Sequence, residues 1–219
     1  MARKSGSIKT FPALWQNHEN LYFSIFSRAL NQLKVSDKLR KDEDAISEAL
    51  CPILARICFK KRVKKPDWEK PIPPVANNDL KGGKTQKIPD FSCSLLNSFA
   101  NNVETCEISF HVECKRLGKT VGSWNLNKNY VANGVKRFDI KSHEYGKSAP
   151  SGLMIGYIVN MEPNTILNKV NAYLGGQFPK LNFGFSKKTA SCIQNLIRKE
   201  VKPEQFKLIH LWADYRLPK

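Results

Sequence analysis

The stretch 110–118, FHVECKRLG, ends the most regular alternation of apolar and polar residues in the chain. Apolar side chains occupy every second position, which predicts a β-strand over 106–115 with one face toward the core. The opposite face carries His111, Glu113 and Lys115, which a strand spaces over roughly 13 Å. A carboxylate and an ammonium group are therefore expected at the end of a rigid strand, where a surface loop would leave them mobile.

The segments around this strand predict an α/β fold with a mixed central sheet and helices on its faces. Ahead of it, apolar periodicity predicts helices over 14–34 and 37–58, the second kinked or broken at Pro52, and a strand over 88–96 that forms a hairpin with 106–115. After it, the patterns predict a helix, a buried strand, two helices and a last strand, over 126–138, 152–160, 163–174, 188–200 and 206–215.

The charge balance points to a polyanionic partner. Lys and Arg total 36 against 19 Asp and Glu, which gives a net charge of +17 and a pI of about 9.7. Such an excess is typical of proteins that bind nucleic acid, although a basic protein without a specific polyanion has the same composition. The segment 60–88 is rich in Lys, Pro and Gly and is predicted to be a flexible loop, either a solvated connector or an arm that contacts phosphates.

Cysteine usage and hydropathy predict a cytoplasmic protein without membrane association. The six cysteines form no CxxC pair and no Cys/His cluster with zinc-finger spacing, as expected for free thiols in a reducing compartment. The basic N-terminus lacks the apolar run of a signal peptide. The longest apolar run, 153–159, is far too short to span a bilayer.

The hairpin is predicted to bring acidic groups together. Asp90 follows Pro89 at the start of the first strand, and in an antiparallel pair it approaches the end of the second, where Glu113 and Lys115 lie. Two carboxylates, the backbone carbonyl of Cys114 and waters suit Mg²⁺, with Mn²⁺ as a substitute. Such an ion polarises a phosphodiester and activates a bound water, while a nearby lysine holds that water and neutralises the phosphate.

The Asp/Glu-x-Lys pattern is weak alone, because it occurs at 79–81, 113–115, 139–141 and 200–202. Only the copy at 113–115 ends an alternating apolar strand and follows a strand that begins with Pro-Asp. The context therefore singles out this copy.

The pair Pro-Asp at 89–90 and Glu-Cys-Lys at 113–115, with helices before them and a helix and a buried strand after them, resembles the restriction-endonuclease-like PD-(D/E)XK nucleases. The resemblance covers about 37–160. It implies a restriction-endonuclease-like fold, with an N-terminal helical segment over 1–36 and a nuclease-like domain over 37–219.

The resemblance also implies roles for individual side chains. Asp90 and Glu113 take the metal-binding positions, and Lys115 takes the position next to the attacking water. The family often adds a glutamate from the first core helix, and Glu43 lies on the apolar stripe of the predicted helix over 37–58. Structural roles remain open for all four, since Glu113 and Lys115 also fit an exposed cross-strand pair, Asp90 a turn cap and Glu43 a helix-start acid.

Several polar or basic residues near the motif are candidates for contact with nucleic acid. Each also fits a packed or solvated position, His111 in particular. The candidates are His111, Arg116, Lys119, Asn133, Lys136 and Arg137.

The expected function is a Mg²⁺-dependent endodeoxyribonuclease, by analogy with a fold common in restriction and anti-phage defence. Its expected partners are DNA and either a second copy of the chain or a partner defence subunit. Two alternatives stay open: a catalytically silent nucleic-acid-binding subunit of a larger complex, and an RNase of the same fold.

Overall fold

The computed structural model describes residues 10–72, 88–185 and 187–216. Within these ranges the chain forms four α-helices and six β-strands, in the order two helices, three strands, a helix, a strand, a helix and two strands. The helices are α1 (Phe11–Gln32), α2 (Glu43–Lys61), α3 (Leu126–Ala132) and α4 (Pro163–Leu174), and the strands are β1 (Asp67–Trp68), β2 (Phe91–Leu96), β3 (Glu107–Leu117), β4 (Ser151–Ile158), β5 (Thr189–Ile197) and β6 (Gln205–Asp214).

The strands form one mixed sheet in the order β1-β2-β3-β4-β6-β5. The pairs β3–β4 and β4–β6 are parallel, and the other three are antiparallel. Every residue of β4 is buried, as expected for a central strand covered on both faces. The predicted α/β class with a mixed sheet and flanking helices is confirmed.

Helices cover both faces of the sheet. On one face, α1 and α2 pack against the side chains of Phe110 and Ile155, and Trp15 of α1 donates from its ring nitrogen to the Ser151 hydroxyl at 2.8 Å. On the other face, α3 and α4 pack against a core built around Trp212. Apolar burial on both faces holds β3 rigidly between two layers, and β3 carries the predicted motif.

Among the described residues, no helix combines the length and apolarity needed to cross a bilayer. All six cysteines are free thiols, as their spacing predicted.

The prediction of a helix over 188–200 is wrong, because this segment forms the edge strand β5, antiparallel to β6. Burial alternates along it, with Leu196 buried while Ile193 and Ile197 are more than half exposed. Two exposed isoleucines four residues apart imitate the apolar stripe of a helix. The true period of two is obscured because apolar side chains occupy both faces of an edge strand.

Other boundaries also differ from the predictions. Helix α2 begins at Glu43, after the N-cap Asp42, and continues through Pro52, which lies on its exposed side. The predicted helix over 126–138 ends at Ala132 and gives way to a 3₁₀ helix at Val135–Phe138. Of the predicted loop over 60–88, β1 occupies two positions, and 73–87 lies outside the described residues.

Substituting Gly156 of β4 by Ala is expected to lower the free energy of unfolding by about 1–3 kcal/mol, the usual cost of overpacking a core. An added Cβ would lie 2.5 Å from Leu117 Cδ1 and 2.6 Å from Trp212 Cδ1. Gly184→Ala is the matched control, since its added Cβ meets no atom within 4 Å. Urea unfolding of both variants checks the prediction, and equal stability would contradict the packing of β3, β4 and β6.

The contribution of His210 to the stability of the protein is expected to fall as the pH drops below about 6.5, the ordinary pKa of His. His210 is fully buried between the Tyr130 hydroxyl, 2.6 Å away, and Gln194, and burial lowers its pKa to about 3. The unfolded chain therefore takes up a proton that the folded chain refuses, so this contribution is complete above pH 6.5 and decreases toward pH 3. Unfolding midpoints between pH 5 and 7.5 should show a smaller slope for His210→Gln than for the native protein, and equal slopes would contradict this assignment.

Candidate active site

The carboxylate of Asp90 lies beside the motif on β3. Asp90 comes immediately before β2, whose register pairs Phe91 with Val112. Its Oδ2 accepts a hydrogen bond from the backbone N–H of Cys114 at 2.5 Å. The first strand of the hairpin thus delivers Asp90 to the place where Glu113 lies, as the sequence predicted.

Glu113 is completely buried and has one satisfied and one unsatisfied oxygen. Its Oε1 accepts from Lys115 Nζ at 2.7 Å and from Arg137 Nη1 at 2.5 Å. Its Oε2 is buried and has no hydrogen-bond partner within the described residues. An orphaned carboxylate oxygen in a protein interior is costly and calls for a missing partner such as a cation.

Lys115 connects the motif to helix α2. Its ammonium group donates to Glu43 Oε1 and to the Cys114 carbonyl, both at 2.8 Å, in addition to Glu113. Glu43 is the first residue of α2, and its Oε2 accepts from the backbone N–H of Arg116 at 2.7 Å. Asp42 caps the helix by accepting from the Asp44 backbone N–H, which fixes where the Glu43 side chain leaves the helix.

Burial raises the pKa of both acidic groups. Burial first, and then the charge of Asp90, raise the pKa of Glu113 to about 8. Burial raises the pKa of Asp90 to about 6, although Lys115 and the Cys114 N–H oppose the shift. Burial alone would lower the pKa of Lys115, but the carboxylates of Glu113, Glu43 and Asp90 outweigh it and raise that pKa, so Lys115 stays an ammonium group.

The pair Asp90 and Glu113 fits a divalent cation that draws its remaining ligands from elsewhere. The described residues hold no cluster of three or more His, Cys, Asp or Glu side chains suited to a metal. Asp90 and Glu113 could supply at most two carboxylate ligands, one of them the unpaired Oε2 of Glu113, and water would have to provide the rest. The predicted third ligand, the carbonyl of Cys114, accepts a hydrogen bond from Lys115 in this structure.

The residues predicted to contact nucleic acid lie in three different environments. His111 is buried, its Nδ1 accepts from the Gly146 backbone N–H at 2.9 Å, and burial lowers its pKa to about 4. Its ring packs edge-on against Tyr145, so its prediction as a surface contact does not fit its position. The remaining candidates are Lys119 and Asn133, which are exposed, Lys136, which is half-buried, and Arg116 and Arg137, which border the acidic site.

Arg137 has a role at the site that its place in the sequence did not indicate. It lies on the 3₁₀ helix after α3, its side chain is 27% exposed, and it binds Glu113 from the solvent side. Tyr145 supports it, with the guanidinium 5.9 Å from the ring centre and the tyrosine hydroxyl donating to the Ile88 carbonyl at 2.7 Å. The basic pair Lys136 and Arg137 was visible in the sequence, but the partner of Arg137 was not.

Comparison of the chain with protein-family models, with curated proteins and with solved structures finds no match. The geometry of the site therefore stands alone as the basis for a functional assignment.

Proposed function

We propose that this protein is a Mg²⁺-dependent endodeoxyribonuclease of the restriction-endonuclease-like PD-(D/E)XK type. It would hydrolyse DNA phosphodiester bonds at the site formed by Asp90, Glu113 and Lys115, with Glu43 positioning the lysine. The observation that carries the proposal is the unpaired buried oxygen of Glu113 beside a half-buried carboxylate, Asp90, and a buried lysine. Glu19, which pairs with Lys207, also has an unpaired buried oxygen, so the support comes from the combination of the three groups and not from the orphaned oxygen alone.

Asp90 and Glu113 would hold the ion. An ion held there would supply polarisation of the phosphodiester and a lower pKa for a coordinated water. Its charge would also favour the ionised forms of the two acids, whose pKa values are raised by burial. The position of the acids on β3 and before β2 gives the rigid placement that such chemistry requires.

Lys115 would act as a fixed cation and hydrogen-bond donor. Because its raised pKa keeps it protonated, Lys115 donates hydrogen bonds and would stabilise negative charge on the phosphate. Glu43 holds it from the side of α2 at 2.8 Å, and this aims Nζ toward Glu113. Arg137 supplies a second cation on the solvent side of Glu113, where a phosphate would approach.

The surrounding charge supports a DNA substrate. A net charge of +17 gives strong, sequence-independent attraction to phosphates that weakens steeply with added salt. The setting we propose is restriction or anti-phage defence in the cytoplasm, with a second copy of the chain or a partner subunit completing the assembly. This setting rests on analogy between folds.

One observation favours a second candidate, a nucleic-acid-binding subunit without catalysis. Lys115 bonds to Glu113, Glu43 and the Cys114 carbonyl at once, and Arg137 also binds Glu113. A site neutralised by its own cations would have no need of a metal. The two candidates differ in whether a divalent ion displaces these contacts.

Incubation of the protein with plasmid, linear and single-stranded DNA and with RNA, each with Mg²⁺ or EDTA, tests the proposal. Mg²⁺-dependent cutting of DNA is the expected result. Cutting confined to RNA would reassign the substrate and make the protein an RNase of the same type. Salt-sensitive DNA binding without any cutting would favour the binding subunit.

A further inference from the structure

A cleft of about 1390 Å³ opens at the carboxyl ends of the parallel strands β3, β4 and β6. The turn that contains Lys119 and Val121 lines it, together with the first residues of α4 and the segment before β5. In open α/β sheets, ligands bind in the crevice outside the carboxyl ends of the strands. The position of the cleft therefore suits a ligand.

The charge of the cleft favours an anionic ligand. Seven Lys or Arg side chains and three carboxylates line it. All three carboxylates form ion pairs with arginines of the cleft. Arg216 pairs with Glu162 at 2.6 Å and with Asp214 at 2.7 Å, and Arg40 pairs with Asp37. Within the described ranges, the other five cations have no carboxylate partner; they are Lys41, Arg116, Lys119, Lys187 and Lys188.

The cleft lies next to the elements that carry the candidate active site, although Asp90, Glu113 and Lys115 do not line it. Arg116 lines the cleft and directly follows Lys115, and its backbone N–H binds Glu43. Its guanidinium donates to the carbonyl of Lys41, which lines the cleft two residues before Glu43. The cleft therefore adjoins the acidic site along the end of β3 and the start of α2.

Aromatic side chains accompany the cations. The half-buried ring of Phe185 lines the cleft and packs on Trp212, with ring centres 5.8 Å apart. Trp124 is 61% exposed and is joined to Val121 of the cleft wall by two backbone hydrogen bonds, at 2.9 and 3.0 Å. Cations interleaved with aromatic rings are typical of sites for unpaired strands, because free bases stack on rings while a duplex keeps its base faces covered.

We propose that this cleft binds an unpaired DNA strand, with its phosphates on the exposed Lys41, Lys119 and Lys187 and its bases against Phe185 and Trp124. The proposal rests on the proposed function only in that the cleft adjoins the candidate active site. It narrows the substrate to single-stranded DNA or to duplex DNA with a frayed or flapped strand.

Charge reversal in the cleft tests the proposal by binding alone. The variant Lys119→Glu with Lys187→Glu is compared with the control Lys128→Glu with Lys169→Glu, which changes two exposed lysines outside the cleft by the same charge. Fluorescence anisotropy in EDTA follows an oligonucleotide of about 20 nucleotides, longer than the site sizes of such grooves. We expect roughly tenfold weaker binding for the cleft variant, and a log–log salt slope smaller by about 1.4 for two lost phosphate contacts. Equal losses in both variants, or tighter binding of the matching duplex, would overturn the proposal.

Trp124→Ala tests the stacking component, with Phe59→Ala as its control because Phe59 is 71% exposed on α2, outside the cleft. Single-strand affinity should fall about fivefold or more for Trp124→Ala alone, and no change would refute stacking at this position.

Hydrolysis of bis(p-nitrophenyl) phosphate with Mg²⁺ separates the two proposals, since so small a diester does not need the cleft. If the native protein hydrolyses neither this diester nor DNA, the nuclease proposal fails. The binding measurements still test the cleft proposal.

Discussion

Glu113→Gln is expected to reduce Mg²⁺-dependent DNA cleavage by at least roughly 100-fold, beyond the 10–100-fold effect usual for residues that only support a metal ligand. The amide keeps the shape of the side chain and one oxygen to accept from Lys115 and Arg137. It removes the negative charge and replaces the unpaired Oε2 by a group that cannot bind a cation. Initial rates on the substrate that the native protein cuts provide the measurement.

Glu107→Gln is the control for this variant. Glu107 begins the same strand, but it is exposed and lies far from the motif end of β3. Its substitution should leave the cleavage rate unchanged. Full activity in Glu113→Gln, with a normal unfolding curve, would remove Glu113 from any catalytic role.

Lys115→Met is expected to reduce cleavage by roughly 10²–10³-fold, the usual effect of losing a preorganised cation at a reacting group. It should also lower the free energy of unfolding by about 3 kcal/mol, because Glu113 and Glu43 each lose a buried partner at 2.7 and 2.8 Å. Cleavage is therefore assayed below the unfolding temperature of the variant, which circular dichroism provides.

An exposed lysine on α3 gives the comparison for Lys115→Met. Lys128→Met removes the same charge outside the site and should change neither quantity appreciably. A Lys115→Met protein that loses stability but keeps its cleavage rate would show that Lys115 is a structural ion-pair partner only.

The sequence predicted the strand and its motif because their signals are local. Alternation along β3 identified the face that carries Glu113 and Lys115, but the hairpin register that brings Asp90 beside them depends on the turn and was not readable from the strand pattern. Alternation does not reveal whether a face is covered, and for that reason His111 stayed a candidate for contact with nucleic acid beside its packed alternative. Tyr145, which packs on His111, and Arg137, which lies over Tyr145, both belong to the connection between β3 and β4. No local pattern in the sequence predicts how this connection packs on the strand.

The errors and omissions have the same physical origin. Edge strand β5 was mistaken for a helix because Ile193 and Ile197 are apolar although they are exposed. They hide the alternation of apolar and polar residues that would have indicated a strand. The pairing of Arg137 with Glu113 depends on the chain leaving its α-helical path after Ala132. The cleft is assembled from five separate parts of the chain, so its charge could not be recognised before the strands were placed in order.

Binding of Mn²⁺, followed by electron paramagnetic resonance, tests the central claim most directly, because it requires no knowledge of the DNA that the protein cuts. The native protein is titrated beside Glu113→Gln and Glu107→Gln in the absence of nucleic acid. The account predicts that the native protein and Glu107→Gln bind Mn²⁺. It predicts that Glu113→Gln does not, so the signal of the bound ion is absent from that variant. Binding that is absent in all three proteins, or that persists unchanged in Glu113→Gln, would contradict the assignment of Asp90 and Glu113 as a metal site.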